Sequence, residues 1–218
     1  MEIYESERDQ VEALRKWWKE NGKSIVLGVV LGLGGVFGWR AWQNHAQQQA
    51  VRASILYQQL LDLAGGGDRQ NAALQGERLV AEYPKSLYAE LASLLLARLA
   101  ADSGDLNAAS QHLDRIAGGR APDALKAVAR LQKARVLLAQ GKLDEALTAS
   151  SADAPPPFRP AFAEVRGDVL AARGDTKTAR QAYQEALQGL GETAPNRALV
   201  QMKLDDLGIG SETGGAGS

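Results

Sequence analysis

The stretch EVRGDVLAARGDTKTARQAYQEA, residues 164–186, reads as two short helices hinged at Gly174-Asp175. Gly167 and Leu170 lie before the hinge, and Ala179, Tyr183 and Ala186 follow it at helical spacing. A glycine here permits the tight turn, and an alanine just beyond it lets the second helix approach the first closely. The same dipeptide, or its Gly-Lys variant, occurs at Gly67-Asp68, Gly104-Asp105 and Gly141-Lys142, giving spacings of 37, 37 and 33. In all four cases an alanine stands five residues past the glycine: Ala72, Ala109, Ala146 and Ala179.

A period of 33 to 37 residues built from paired helices resembles the tetratricopeptide (TPR) repeat. The second and third repeats place Ala97 and Ala134 where the last has Gly167, whereas the first has the bulky Leu60. The first ends at Pro84, and Pro195 follows the last. In the third, Asp153 stands at a position usually held by alanine, and Pro155-Pro156-Pro157 cuts its second helix short. Val200, Leu204 and Leu207 form one face of a closing helix, with Gly208 as its stop. Such a cap covers the apolar face that a terminal repeat leaves open. No strand-like run interrupts the array.

Upstream, Ser24–Trp39 (SIVLGVVLGLGGVFGW) is 16 residues without charge, closed by Lys23 and Arg40. Trp17 and Trp18 precede it; Trp39 and Trp42 follow. Trp18 to Trp39 is 21 steps, about 32 Å of helix at ~1.5 Å per residue, close to the ~30 Å hydrocarbon core. A transmembrane helix over 24–42 is therefore expected. Residues 4–23 carry five basic side chains and residues 40–59 carry two, which orients the N-terminus to the cytoplasm. A cleaved signal peptide fits less well, because the n-region is long and no clean cleavage site follows. Gly28 and Gly32, and again Gly34 and Gly38, form small-residue ridges for a neighbouring membrane helix. In residues 1–23, Ser6 and Asp9 resemble a capping box, Val11, Leu14 and Trp18 share a helical face, and Asn21-Gly22 offers a stop.

The expected architecture is all-α: a cytoplasmic leader (1–23), one transmembrane helix (24–42) and a helical linker (43–53). A periplasmic α-solenoid of about four TPR-like hairpins with a capping helix (54–207) follows, then a disordered glycine-rich tail (208–218).

Composition narrows the chemistry. Among 218 residues, 45% are hydrophobic, 23% are charged, and the net charge of −1 argues against nucleic acid, whose phosphates demand a basic face. Without cysteine there is no disulfide, thiolate nucleophile or Cys-based metal site. His45 and His112 have no metal-ligand partner at helical spacing. There is no Gly-x-Ser-x-Gly elbow or P-loop, and Gly32-x-Gly34 follows no strand. The expectation is a non-enzyme with no metal, no cofactor and no small-molecule substrate.

In TPR domains a set of first-helix positions lines the concave groove. Transferred by register, these are Tyr57 and Leu61, then Leu91, Leu94 and Arg98, then Val128, Leu131 and Arg135, and finally Glu164 and Asp168. Aliphatic residues beside an arginine suit an apolar segment with a carboxylate or carbonyl nearby. The carboxylates of Glu164 and Asp168, one helical turn apart, lack the nucleophile that an acid/base role requires.

The opening MEIYESERDQVEALRKWWKENGKSIVLGVVLGLGGVFGWRAWQNH, residues 1–45, resembles the ancillary SecYEG translocon subunit (YfgM) family. The likeness continues through Leu170, Gly174 and Ala179 to Met202-Lys203. It implies a single-pass inner-membrane protein whose partners are the SecYEG translocon, membrane lipid, the periplasmic chaperone PpiD and the stress-response regulator RcsB. The implied role is to assist transfer of translocated proteins to chaperones. The Pro155–Pro157 segment and the glycine-rich tail depart from the family pattern.

Overall fold

In the computed structural model, which describes residues 2–213, the backbone takes positive φ at Gly67, Gly104, Gly141 and Gly174, between 72° and 85°. These are the four glycines of the repeat. Each ends one helix with the same pair of bonds: Gly67 N–H reaches Ala64 C=O at 3.2 Å, and Asp68 N–H reaches Leu63 C=O at 3.0 Å. Equivalent pairs recur at Gly104/Asp105, Gly141/Lys142 and Gly174/Asp175. This is the Schellman closure, and the left-handed residue at its centre is tolerated by glycine at little cost.

Nine α-helices are described: α1 (Glu2–Gly65), α2 (Arg69–Glu82), α3 (Leu87–Asp102), α4 (Leu106–Gly118), α5 (Asp123–Ala139), α6 (Leu143–Ser150), α7 (Arg159–Ala172), α8 (Thr176–Gly189) and α9 (Arg197–Thr213). A 3₁₀ turn at Pro156–Phe158 precedes α7. The aspartate after the glycine starts the next helix: Asp68, Asp105 and Asp175 accept from the N–H of Asn71, Ala108 and Thr178 at 3.2, 2.9 and 3.1 Å. Two residues thus stop one helix and cap the next. Lys142 adopts the same backbone conformation with no side-chain cap, and the helix it begins, α6, has 8 residues against 13 or 14 in α2, α4 and α8. Asp153 and the Pro155–Pro157 run follow directly.

Residues 1–51 and residues 52–218 are separate compact units. In the second, the end of α1 pairs with α2, α3 with α4, α5 with α6, and α7 with α8, and α9 closes the series. Ala72, Ala109, Ala146 and Ala179 are all fully buried, as close helix approach demands. The core is a chain of clusters, each bridging successive hairpins, so every repeat is held by its neighbours. Val200 on α9, fully buried with Leu204 and Leu207 beside it, covers Ala163, Tyr183 and Ala186. The helix continues past Gly208 to Thr213.

The first unit corrects two expectations. The transmembrane helix over 24–42 is not upheld: among the described residues no helix is long and apolar enough to cross a membrane. Helix α1 has 64 residues, but its uncharged run has only 16, which is about 24 Å at ~1.5 Å per residue and short of the ~30 Å hydrocarbon core. Gly28, Gly32, Gly34, Gly35 and Gly38 dilute its apolar surface further. Flanking tryptophans make the span look longer than its apolar stretch is. Nor does Asn21-Gly22 stop the helix. The Trp18 indole lies 3.2 Å from where a Gly22 Cβ would be, and Asn21 Nδ2 donates to Trp17 C=O at 3.1 Å, so the side chains shelter a continuous backbone. The Ser6/Asp9 capping box lies outside the described side chains, and residues 214–218 of the tail lie outside the described residues.

Candidate functional site: a cavity on the first helices of three repeats

Tyr57 and Leu61 on α1 face Leu91, Leu94 and Arg98 on α3, and these five line one cavity of about 520 Å³. Its other walls are Leu95, Ala97, Ala101 and Asp102 of α3, Leu113 of α4, and Gln132 and Val136 of α5. The floor is aliphatic because buried Ala97 and Leu113 sit where the repeat needs close helix packing. Tyr57 closes one end, its ring 5.7 Å from that of Tyr88, and burial raises its hydroxyl pKa. On the rim, Arg98 Nε stands 3.8 Å from Asp102 Oδ2, an exposed i,i+4 pair of small energetic weight. Such a surface buries aliphatic side chains and leaves a backbone or carboxylate within reach of one guanidinium.

Five of the ten positions expected to line a groove therefore come together, and five do not. On α5 the register is displaced by one residue: Gln132 and Val136 face the cavity, while Leu131 is buried with Phe162, Val165 and Val169 in the core beneath. Arg135 is exposed and Val128 half-buried, both away from the cavity. Glu164 and Asp168 are occupied by the closing helix. Lys203 Nζ lies 2.9 Å from Glu164 Oε1 and 2.9 Å from Asp168 Oδ2. The Tyr183 hydroxyl donates to Asp168 Oδ1 at 2.8 Å, and Asn196 Nδ2 donates to Glu164 Oε2 at 3.3 Å. Burial opposes the charge on Lys203, but the two carboxylates outweigh it and hold the ammonium pKa above its ordinary value. Tyr183 is pushed well above the usual tyrosine range by burial and then by its bond to Asp168. The acidic pair is a structural clasp rather than an open face.

His112 is half-buried, its Nε2 3.4 Å from Glu77 Oε1 across α2 and α4. His45 lies beside Gln49 on exposed α1. Among the described residues no group of three or more His, Asp or Glu side chains converges as a metal ion would require. A Cβ placed at Gly28, Gly32, Gly34 or Gly38 meets nothing within 4 Å.

The geometry agrees with known proteins. A family model described as a tetratricopeptide repeat-like domain matches residues 15–209. The ancillary SecYEG translocon subunit of Escherichia coli (strain K12) is 34% identical over 96% of this chain and 100% of its own length. That of Haemophilus influenzae is 31% identical over 92% and 97%, and that of Neisseria gonorrhoeae is 30% identical over 95% and 100%. A solved structure from the functional characterization of Pseudomonas aeruginosa pilF superposes with a TM-score of 0.60 over 76% of this chain and 71% of that one. At 17% identity that likeness concerns the fold alone. Paired helices hinged at four left-handed glycines, together with full-length relatives of one description, place the chain in a single group: it belongs to the ancillary SecYEG translocon subunit family and carries that family's tetratricopeptide repeat-like domain.

Proposed function

We propose that the protein is a non-catalytic scaffold associated with the Sec translocon, and that the cavity lined by Leu91, Leu94 and Tyr57 receives apolar segments of partner proteins. The carrying observation is the joining of three first helices around one aliphatic cavity with a single arginine at its rim. The names borne by the relatives support association with the translocon. Placed on the periplasmic side of the inner membrane, the repeats assist transfer of translocated proteins to chaperones such as PpiD. Association with the translocon raises the effective concentration of weak contacts toward the millimolar range typical of short tethers. Affinity for any one segment then need not be high.

The test is Leu94→Glu. It should weaken capture of a translocated polypeptide at least tenfold while helicity by circular dichroism is unchanged; unchanged capture refutes the assignment.

A second reading has the amino-terminal part of α1 sequester the stress-response regulator RcsB. It is favoured by the exposure of Val11, Leu14, Trp17 and Trp18. Deleting residues 1–20 separates the two readings, because the scaffold retains most translocon association and the regulator is released only under the second.

A further inference from the structure

A second cavity, of about 430 Å³, shares no residue with the first. Its cationic side chains are Lys126 and Arg130 of α5 and Arg159 of α7, and its carboxylates are Asp123 and Asp153. Among the described residues these five charged groups form no ion pair with one another or with other side chains. Arg130 Nε is buried with no hydrogen-bond partner. Arg159 spends its Nε on Ala154 C=O at 3.3 Å and keeps its terminal nitrogens free for a ligand. Helix α5 starts at this cavity after Pro122 with no side-chain cap, which adds the positive end of its dipole. A buried guanidinium N–H without an acceptor is costly, and a bound acceptor relieves it.

Charge balance selects the ligand. Three cations against two carboxylates leave one positive charge, which a monoanion neutralises and a phosphate dianion overshoots. Beside the charges, Ala117, Ala154, Pro155 and Pro156 form an apolar wall. We propose that this cavity binds one carboxylate carried next to a small apolar group, either the C-terminus of a peptide or an acidic side chain of a partner protein. The planar carboxylate takes N–H bonds from Arg130 and Arg159, Lys126 contributes charge, and Asp123 and Asp153 exclude a second negative charge. The Pro155–Pro157 segment supplies the wall and fixes its shape.

The test uses the full-length chain, with ¹H–¹⁵N spectra of the arginine Nε–H and α5 first-turn amides. Four probes are titrated: N-acetyl-alanyl-alanyl-leucine with a free carboxylate, its C-terminal amide, an end-blocked peptide carrying one glutamate, and inorganic phosphate. A free carboxylate should shift the Arg130 Nε–H saturably, and the amide should not. Whether the free-ended or the glutamate peptide binds more tightly identifies the source of the carboxylate. Arg130→Gln and, at an exposed position, Arg159→Gln should each weaken binding at least tenfold with unchanged circular dichroism. Asp123→Asn with Asp153→Asn should let phosphate compete. Equal response to the amide, tighter binding of phosphate to the unaltered protein, or no saturable shift overturns the proposal.

Discussion

Gly167 on α7 lies so close to the Tyr183 ring on α8 that a Cβ at Gly167 would sit 2.5 Å from Cδ1 and Cε1. The ring cannot step aside, since Tyr183 is 3% exposed and its hydroxyl is tied to Asp168 at 2.8 Å. Gly167→Ala gains about 1 kcal/mol of helix propensity, but overpacking costs about 1–3 kcal/mol and belongs at the upper end here. The net is destabilisation of about 2 kcal/mol, read as a lower urea midpoint and a Tm lower by roughly 4–8 °C at about 2–4 °C per kcal/mol. A Tm equal to or above that of the unaltered chain contradicts the packing described.

Lys142 breaks the rule that the residue after the hinge glycine caps the next helix. Its φ of −82° and ψ of 66° match those of Asp175 at −82° and 70°, so an aspartate fits without strain. Lys142→Asp should stabilise the domain by about 0.5–1 kcal/mol, the lower part of the range for a cap, because Asp144 and Glu145 already crowd that first turn with negative charge. Thermal denaturation beside a Lys142→Ala control distinguishes the cap from mere removal of a positive charge.

The clasp on Lys203 has a definite pH signature. A lysine whose folded pKa is raised contributes stability that is fully present below its unfolded pKa of about 10.4 and is lost as pH rises through the folded value. Tyr183, raised by burial and then by Asp168, works in the same direction above pH ~10. Stability should therefore fall on the alkaline side, and Lys203→Met should remove the lysine's share of that dependence while leaving the share of Tyr183. At neutral pH the variant strands Glu164, whose side chain is 7% exposed, and should lose about 2–4 kcal/mol, somewhat less than for a fully buried pair. Urea denaturation from pH 8 to 11 on both proteins reads the difference.

Leu94 and Leu131 occupy equivalent repeat positions 37 residues apart, yet one faces the cavity and the other the core. Leu94 is half-buried at the edge of the Ala97 and Leu113 cluster, so Leu94→Glu should lower the unfolding free energy by only about 1 kcal/mol. Leu131→Glu should cost about 3 kcal/mol or more, because a carboxylate replaces a side chain that is 6% exposed. Equal effects would mean that α5 is not rotated as described.

That contrast shows what a repeat pattern reveals. Gly67, Gly104, Gly141 and Gly174 were legible because a left-handed turn demands glycine and the alanine beyond it must be small, so both leave fixed residues at fixed spacing. The rotation of α5 leaves no such mark: one residue is about 100° around a helix, and packing against α4, α6 and α7 sets it. Gln132 and Val136 consequently face the cavity where the spacing predicts Leu131 and Arg135. Lys203 was invisible as the partner of Asp168 and Glu164 because it lies 35 and 39 residues away. Leu60 departs from the pattern in another way. It is fully buried where other repeats hold a small residue, and Gly76, sixteen positions on, leaves room for Leu96 of α3, whose Cδ2 lies 2.8 Å from where a Gly76 Cβ would be. The bracketing tryptophans of α1 misled because they report a distance between rings, whereas crossing lipid requires an uninterrupted apolar length.

The central claim, that the cavity holds partner segments, is tested most directly by photo-crosslinking from inside it. A benzoylphenylalanine at Leu91 is compared with one at Leu74, an exposed α2 position outside the cavity lining. Adducts with translocating polypeptide or its chaperone should form from Leu91 and be at least tenfold fewer from Leu74. Equal yields from both positions, or none from Leu91 while the protein still copurifies with the translocon, would contradict it.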